Sequence, residues 1–379
     1  MIQGSSLKVA IVHDWLVRYR GGEKVLEAIS ELYPEADIFT LIHRPGSIPP
    51  ALERRKIHTT FLQSFPGVHR RYRHLLPLFP SAVESFDLSG YELIISSSHC
   101  VAKGVPKPPG ARHISYVHAP MRYMWDRFDD YFGPGQSPWP TRVAARIVRP
   151  WLRRWDRRSA RSVDRFVANS HYVAEKIARL YGRQASVVHP PVDLETFAAL
   201  PLEGLGQGGY FLWVGAPAAY KRLDVAIEAF ASLKLPLWIA GFEVGSGRHS
   251  RPPGPNIRLL GEVSDGELAK LYRDARAIVF TAEEDFGIVP LEAQSMGRPV
   301  IAFGAGGALE TVDARTGIFY FPQTPEALAA AVKRFEAWER AFLPAAARAN
   351  ALRFSKEAFQ QRFASEVRAL IGDGGIAQP

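Results

Sequence analysis

The sequence predicts an α/β protein built from two Rossmann-like domains, and three observations support this fold class. The 379 residues exceed the size of one typical domain and suit two. Short β-branched apolar runs, such as residues 9–12 and 277–280, alternate with helical patterns, as they do in parallel-sheet proteins. The Pro-Pro pair within residues 187–193 interrupts regular structure near the middle of the chain. We therefore expect domains over residues 1–190 and 191–354, followed by a final helix within residues 355–379.

The composition is that of an ordinary globular protein, with 47% hydrophobic and 22% charged residues. The single cysteine, Cys100, excludes an intramolecular disulfide and indicates a reducing compartment. No apolar run approaches the length that spans a bilayer. The run at residues 9–12 ends at His13 and Asp14, which is unlike a signal peptide. We therefore expect a cytoplasmic protein.

Positive charge is concentrated in the first half of the chain. Residues 1–190 carry 28 Lys and Arg against 16 Asp and Glu, whereas residues 191–379 carry 19 against 22. The first half is therefore +12 and the second −3, which together give the formal net charge of +9. A basic domain indicates an anionic partner, and charge alone leaves open nucleic acid or an anionic membrane surface.

The first domain contains two loops suited to a ligand. After a predicted strand at residues 7–12, Gly21 and Gly22 precede a helix and let the backbone approach a phosphate or a sugar. A predicted strand at residues 113–117 ends at His118, at the edge where parallel sheets bind ligands. The alternatives are a plain strand–helix turn at the glycines and a structural role for the histidine. The loop after the first predicted strand lacks a G-x-G-x-x-G motif, which argues against dinucleotide binding there.

Residues 141–165 form a strongly basic segment, with nine arginines and two aspartates. Apolar residues recur at every fourth position within it, namely Val143, Ile147, Trp151 and Trp155. This spacing predicts an amphipathic helix, kinked or restarted at Pro150. Its other faces are basic and include Arg153, Arg154, Arg157 and Arg158. Tryptophan beside arginine is typical of a helix in a membrane interface, and the alternative is that the tryptophans pack into the core.

The second domain opens with a predicted strand at residues 210–215, and Lys221 and Arg222 follow at the junction with the next helix. Cations at such a junction are well placed to neutralise a bound diphosphate. The alternative is ordinary surface charge.

The stretch TAEEDFGIVPLEAQSMGRPV, residues 281–300, follows the predicted strand at residues 277–280. Glu284 is therefore expected in the loop after that strand. Pro290 suits the first position of a helix, which puts Glu292 in the first helical turn. The alternative for Glu292 is that it only complements the helix dipole.

The same stretch predicts an anion site. Free backbone N–H groups at the positive end of the helix belong to Gly287, Ile288 and Val289. A strand end, a glycine and an open helix N-terminus together suit a phosphate group. The alternative is that Gly287 only turns the chain.

Glu284 and Glu292, separated by seven residues and embedded in FGIVPLEAQSMGRPVI, closely resemble the signature of retaining GT-B glycosyltransferases of family 4. The resemblance runs from Val9 to about Ile371. It implies two Rossmann-like domains facing each other across a cleft, with the final helix crossing back onto the first domain. It also implies that Glu284 faces the transferred sugar, that Glu292 binds the nucleotide ribose, and that the amides between them hold the diphosphate.

The resemblance assigns roles in the first domain as well. It implies that His118 contacts the donor sugar and that the loop at Gly21 and Gly22 lies against donor and acceptor, with His99 as a weaker candidate at the same edge. One position departs from the family pattern, because an arginine normally stands five residues before the lysine and this chain has Ala216 there. Arg222 or another cation would have to replace that arginine.

The implied reaction moves a sugar from a nucleotide diphosphate sugar to a hydroxyl group with retention of configuration, without a metal ion or other cofactor. HDW…GGEKV and EEDFGIVP look most like bacterial enzymes of surface-polysaccharide assembly, which are often mannosyltransferases using GDP-mannose. The implied partners are a nucleotide sugar and a glycan or lipid-linked acceptor. From the charge of the first half and the segment at residues 141–165, we also expect peripheral binding to the inner face of the cytoplasmic membrane.

Two other classes of function remain open. One is a GT-B protein that binds a nucleotide sugar without transferring it, which would explain Ala216. The other is a basic nucleic-acid-binding protein, which would explain the charge, although the sequence contains no nucleic-acid recognition motif.

Overall fold

The computed structural model describes residues 7–194, 197, 204–216, 218–241 and 254–372. The chain folds as two compact units, one comprising Met1–Pro191 with Glu357–Pro379 and the other Val192–Lys356. We call them the N-terminal unit and the C-terminal unit. The domain ends expected from the sequence are residues 190 and 354, and residues 373–379 of the expected final segment lie outside the described residues.

The N-terminal unit is built on a parallel sheet. Its strands are β1 (Val9–His13), β2 (Asp37–Thr40), β3 (Ile57–Thr59), β4 (Leu93–Ser98), β5 (Arg112–Val117), β6 (Arg165–Ala168) and β7 (Ala185–Val187). They are ordered β3-β2-β1-β4-β5-β6-β7, so the order reverses between β1 and β4. In the register of the sheet His13 lies opposite Ser97, and Val117 lies opposite Ser98. The carboxyl ends of β1, β4 and β5 therefore meet at one edge.

Helices pack on both faces of this sheet. They are α1 (Gly21–Leu32), α2 (Pro50–Glu53), α3 (Val68–Arg71), α4 (Phe79–Glu84), α5 (Phe128–Phe132), α6 (Trp139–Ser159) and α7 (His171–Tyr181). Along β1, Ala10 and Val12 join one hydrophobic core, whereas Val9 and Ile11 join another. Alternate side chains of a strand point to opposite faces, so both faces of the sheet are covered.

The C-terminal unit repeats this architecture. Its strands are β8 (Phe211–Val214), β9 (Leu237–Ala240), β10 (Ile257–Gly261), β11 (Ile278–Phe280), β12 (Val300–Phe303) and β13 (Gly317–Tyr320), all parallel and ordered β10-β9-β8-β11-β12-β13. Its helices are α8 (Leu223–Leu233), α9 (Asp265–Asp274), α10 (Ile288–Ser295), α11 (Ala308–Thr311), α12 (Pro325–Trp338) and α13 (Pro344–Leu352). The strand order reverses between β8 and β11, and ligands of open α/β sheets bind at such a switch point.

The last helix, α14 (Lys356–Ile371), belongs to the N-terminal unit. Phe359, Phe363 and Val367 are buried in the core that contains Val9 and Ile11 of β1. Polar contacts also hold the helix. Arg165 Nη1 donates to Glu366 Oε2 at 2.9 Å, and Gln360 Nε2 donates to the backbone oxygen of Ala28 at 3.0 Å.

The basic segment forms one helix, α6, which continues through Pro150 without restarting. Val143 and Trp151 are both 46% exposed and Ile147 is 73% exposed. Trp155, in contrast, is 3% exposed and donates from Nε1 to Glu84 Oε1 at 2.7 Å. The interpretation of Trp155 as a membrane-facing residue is therefore wrong, because its ring belongs to the core of the unit. No helix in the described parts of the chain is long and apolar enough to cross a membrane.

Helix α10 begins two residues earlier than the position of Pro290 predicts. Gly287 is the N-cap, with a φ of 84°, and Ile288 is the first helical residue. Pro290 is then the third residue, where its missing N–H group still costs no intrahelical hydrogen bond. The prediction that Glu292 lies in the first turn is therefore wrong, because this residue is the fifth of the helix.

Candidate functional site

An ion pair lies at the switch point of the C-terminal unit. Lys221 ends a 3-10 turn after β8, and Glu284 lies in the loop between β11 and α10. The Nζ atom of Lys221 is 2.7 Å from Oε1 of Glu284, and the side chains are only 15% and 18% exposed. Shielding from water strengthens such a pair relative to one on the open surface. The structure thus brings together two of the predicted donor-site residues.

Thr281 fixes the turn that carries Lys221. Its Oγ1 atom donates to the backbone oxygen of Lys221 at 2.6 Å and accepts from Nε1 of Trp213 at 2.9 Å. The Nε2 atom of Gln323 donates to the backbone oxygen of Thr281 at 2.7 Å. These residues support the site through backbone contacts, which residue type and spacing alone do not indicate.

Two glycines hold the loop that carries Glu284. The backbone N–H of Gly307 donates to the backbone oxygen of Glu284 at 2.9 Å, and Glu284 forms a parallel β-bridge with Gly306. A Cβ atom on Gly306, whose φ is +62°, would lie 2.3 Å from the Glu284 backbone oxygen. Only glycine permits this approach. The loop is therefore placed by its backbone, which leaves the Glu284 carboxylate to interact with Lys221.

Arg222 is held differently from Lys221. Its Nε and Nη2 atoms donate to the carboxylate of Asp224, and its Nη1 atom donates to Oε1 of Gln323 at 3.2 Å. The hydrogen bonds that Arg222 donates to Asp224 raise the pKa of the guanidinium above its ordinary value. Arg222 also has a φ of 49°, which is unusual for a residue with a side chain. Lys221 is thus the cation that contacts Glu284, while Arg222 is anchored to Asp224.

The start of α10 follows Glu284 closely in the chain, and its N-cap, Gly287, has no side chain that could cap it. The first N–H groups of a helix have no partner within the helix, so those near Gly287, Ile288 and Val289 suit an anion. Farther along the helix, Oε2 of Glu292 accepts a hydrogen bond of 2.9 Å from the hydroxyl of Tyr272, which is fully buried.

A row of histidine and serine side chains lies at the switch point of the N-terminal unit. Nδ1 of His13 is 3.1 Å from Oγ of Ser97, and the same oxygen is 2.8 Å from Nε2 of His118. On the other side, Nε2 of His13 is 3.6 Å from Oε1 of Glu23 in the first turn of α1. Residues of three adjacent strand ends and one helix therefore form a continuous polar chain that ends at His118.

Gly21 and Gly22 open helix α1 beside these rings. A Cβ atom on Gly22 would lie 3.8 Å from Cε1 of His13 and 3.9 Å from Nε2 of His118. The glycine loop predicted from the sequence and the predicted histidine thus lie together.

The contacts of His99 mainly hold its ring in place. Its Nδ1 atom is 3.1 Å from Oδ2 of Asp14, and its ring packs edge-on against Trp15. Asp14 is fully buried and accepts from four successive backbone N–H groups, those of residues 99–102. Burial lowers the pKa of His99, although the charge of Asp14 opposes this change.

The environment of His118 favours the neutral form of its imidazole. Burial lowers its pKa well below the ordinary value, and the charges of His99, His13 and Arg122 lower it further. A neutral imidazole has one N–H donor and one acceptor nitrogen, so it can orient a hydroxyl group without carrying a charge.

Some arginines of α6 contact other residues of the unit, whereas others are exposed without such a contact being described. Arg153 and Arg157 lie over the ring of Trp125 and donate to the backbone oxygens of Met124 and Leu180. Arg158 contacts the Glu84 carboxylate at 3.2 Å. Arg154 is exposed. The predicted group is therefore brought together on one helix, but three of its four arginines also have internal contacts.

The described residues contain no group of three or more His, Cys, Asp or Glu side chains arranged to hold a metal ion.

Comparisons with known proteins agree with this architecture. Residues 19–196 match the family model described as Glycosyltransferase Family 4, and residues 208–336 match the model described as Glycosyl transferases group 1. The crystal structure of Anabaena HepE in complex with UDP superposes with a TM-score of 0.71 at 17% identity, covering 96% of this chain and 100% of that chain. The chain has the GT-B fold. Both of its units correspond to glycosyltransferase domains.

Other similar proteins carry names that refer to different reactions. A D-inositol 3-phosphate glycosyltransferase 2 of Catenulispora acidiphila is 34% identical over 202 residues, which are 45% of this chain and 47% of that protein. A second such enzyme, from Nocardioides sp., is 30% identical over 258 residues, which are 58% of this chain and 54% of that protein. The chain thus spans about half the length of these relatives. The apo lipopolysaccharide outer core galactosyltransferase WaaB has a TM-score of 0.66 at 17% identity, covering 96% of this chain and 99% of that one.

Proposed function

We propose that this GT-B protein is a retaining glycosyltransferase that moves a sugar from a nucleotide diphosphate sugar to a hydroxyl group. The observation that carries the proposal is the contact of 2.7 Å between Lys221 and Glu284 at the switch point, beside the uncapped start of α10. A shielded cation and open N–H groups suit the diphosphate, and a carboxylate suits sugar hydroxyls.

In the proposed reaction the anionic diphosphate leaves, so catalysis depends on positive charge at that end. Lys221 and the amides near Gly287 supply this charge, and no metal ion or other cofactor takes part. The donor phosphate competes with Glu284 for Lys221, which turns the carboxylate toward the sugar. The departing phosphate accepts the proton of the acceptor hydroxyl, and His118 orients the sugar.

The donor is the part of the proposal that most needs an experiment. The sequence resemblance favours GDP-mannose, whereas HepE structures are described as complexes with UDP and UDP-glucose. A thermal-shift screen of GDP-mannose, UDP-glucose, UDP-galactose and UDP-N-acetylglucosamine should identify one donor by a large stabilisation. At a concentration 100 times its Kd, a ligand stabilises the protein by about 2.7 kcal/mol. If no nucleotide sugar shifts the melting temperature, the proposal is wrong.

Turnover of the donor tests catalysis. Nucleotide release should be measured for the wild type and for Glu284→Gln, which keeps the size of the side chain and removes its charge. We expect turnover to fall by about 10²-fold or more while the melting temperature without donor changes little. Near-normal turnover in the variant would exclude Glu284 from the reaction. Donor binding without any release of nucleotide would favour the alternative, a GT-B protein that binds the sugar nucleotide without transfer.

We further propose that the N-terminal unit binds an anionic membrane through α6 and delivers the site to a lipid-linked glycan acceptor. Three observations support this: the net charge of +12 in residues 1–190, the exposed side chains of Trp139, Ile147 and Trp151, and the exposed Arg146 and Arg154 that flank them. An amphipathic helix of this composition suits a membrane interface. The protein would then lie peripherally on the inner face of the cytoplasmic membrane.

Vesicle sedimentation tests this surface. Reversing the charge of Arg146 and Arg154 to Glu leaves the internal contacts of Arg153 and Arg157 intact. Each arginine near an anionic surface contributes about 1 kcal/mol, so the double reversal should abolish binding to phosphatidylglycerol vesicles at low salt. The matched control reverses Arg54 and Arg340, which are also exposed and lie outside α6. Wild-type protein that stays in the supernatant, or equal loss in the control, would contradict the proposal. Retention of a nucleic acid probe by the wild type, lost as salt rises, would support the nucleic-acid alternative instead.

A further inference from the structure

Hydrogen bonds along the polar chain that ends at His118 are donated in one direction, and the positions of the protons determine that direction. Oγ of Ser97 lies between Nδ1 of His13 and Nε2 of His118, at 3.1 and 2.8 Å. A serine hydroxyl has one proton, so it can donate to only one of these nitrogens and must accept from the other. The tautomer of one histidine therefore sets the tautomer of the other.

Glu23 decides which way the chain runs. Nε2 of His13 is buried, has no hydrogen-bond partner among the described residues, and faces the Glu23 carboxylate at 3.6 Å. In the neutral ring a lone pair at Nε2 would be repelled by this negative charge, whereas an N–H is attracted. The second oxygen of Glu23 accepts from the backbone N–H of Arg20 at 2.9 Å, which fixes the orientation of the carboxylate.

The remaining protons follow in order. In the neutral form of the His13 ring, a proton on Nε2 leaves a lone pair at Nδ1, and Ser97 donates to it. The Ser97 oxygen must then accept from Nε2–H of His118. Nδ1 of His118 is left as a bare acceptor, and no described residue provides it with a hydrogen bond.

We propose that Glu23, His13 and Ser97 are positioning residues that hold His118 as the Nε2–H tautomer, so that its Nδ1 atom accepts a hydrogen bond from a substrate hydroxyl. The contact with a sugar hydroxyl rests on the proposed function. The tautomer itself is a property of the protein without substrate. A hydroxyl meets an acceptor that is already oriented, and a group that offers only a lone pair at this point is rejected.

Side-chain ¹⁵N spectra of histidine test the tautomer without any sugar present. They should be recorded at about pH 8, above the ordinary imidazole pKa of about 6.5, and the His118 signals assigned by their loss in His118→Gln. We expect the proton on Nε2 in the wild type. In Ser97→Ala the ratio of the two tautomers should shift toward Nδ1–H by about tenfold, the effect of one lost hydrogen bond.

The chain offers a matched control one residue away. Oγ of Ser96 lies 2.9 Å from Nε2 of His113, and both residues are fully buried, so Ser96→Ala removes a similar serine–histidine contact. It should leave the His118 signals unchanged. An equal shift in both serine variants, or a wild-type proton on Nδ1, would overturn the proposal.

Glu23→Gln tests the far end of the chain and also serves if Ser97→Ala does not fold. It removes the charge that holds the proton on Nε2 of His13, so the His118 ratio should again shift toward Nδ1–H. An unchanged ratio in the folded variant overturns the relay. Once a donor is known, Ser97→Ala should also lower kcat/KM by about tenfold relative to Ser96→Ala, and equal values would overturn the substrate contact.

Discussion

Glu292 is a carboxylate whose position is set before any ligand binds. The hydroxyl of Tyr272 donates to its Oε2 atom at 2.9 Å, and burial together with the charge of Glu292 raises the pKa of that tyrosine well above the ordinary value. The tyrosine therefore remains a donor at all physiological pH values. Because this hydrogen bond already orients the carboxylate, the Glu292 side chain loses less conformational freedom when a ribose hydroxyl binds to it.

The predicted ribose contact can be tested at this residue. Glu292→Ala should weaken binding of the free nucleoside diphosphate by about 1.5–3 kcal/mol, the strength of a hydrogen bond to a charged group. Tyr272→Phe keeps the carboxylate and removes only the orienting hydroxyl, so its effect should be smaller. Isothermal titration calorimetry measures both. Unchanged affinity in Glu292→Ala would exclude the contact.

At the level of single elements, helix α6 shows why Trp151 and Trp155, which belong to the same four-residue repeat, differ in their exposure. Side chains four residues apart advance by about 40° around a helix, because each residue turns it by about 100°. The apolar row from Trp139 to Trp155 therefore winds through about 160°. It begins on the open surface, where Trp139 is 71% exposed, and ends against Gly104 in the core.

This difference predicts opposite results for the same substitution. Trp155→Ala should reduce the free energy of unfolding by about 3–5 kcal/mol, because it leaves a cavity and removes the hydrogen bond to Glu84. Trp151→Ala, four residues away, should change stability far less and should instead weaken vesicle binding. Urea unfolding and sedimentation separate the two effects. Similar losses of stability in both variants would contradict the structural difference.

How much of the architecture can be predicted from the sequence also depends on element length. The apolar runs at residues 9–12 and 277–280, which include most of β1 and all of β11, are recognisable because four apolar residues follow one another. Strands β3 and β7 have three residues each, too few for a period of two to be visible. Pro290 misleads for a related reason, because it is tolerated at each of the first positions of a helix and does not fix the first one.

The site divides in the same way. Glu284, Lys221 and His118 could be predicted because each combines a chemical group with a strand end. Thr281, Ser97 and Glu23 could not, since their roles depend on which strands become neighbours and on the distances across the sheet. The order of strands in space is therefore the information that residue patterns lack.

At the scale of the whole molecule, buried neutral histidines make stability depend on pH. Burial lowers the pKa of His113 from 6.5 to about 3. Below pH 6.5 the unfolded chain therefore binds a proton that the folded chain does not. This contribution to stability is complete above pH 6.5 and is lost as the pH falls from 6.5 toward 3. From pH 7 to pH 5 the loss from this residue is about 2 kcal/mol.

Urea unfolding at pH 7 and pH 5 tests this linkage. His113→Gln cannot take up the proton, so the variant should lose about 2 kcal/mol less than the wild type over the same interval, although its stability at pH 7 is lower. An identical decrease in the two proteins would show that other groups account for the acid sensitivity.

Helix α14 has a consequence for the order in which the protein forms during synthesis. Its side chains Phe359, Phe363 and Val367 complete a core whose other residues begin at Val9. The C-terminal unit, in contrast, is continuous from Val192 to Lys356. When the ribosome has finished the C-terminal unit, it has therefore not yet made α14, which completes the core of the N-terminal unit. Until α14 emerges, the first unit exposes apolar surface on one face of its sheet, so translation rate and chaperone access act on the half of the protein that was made first.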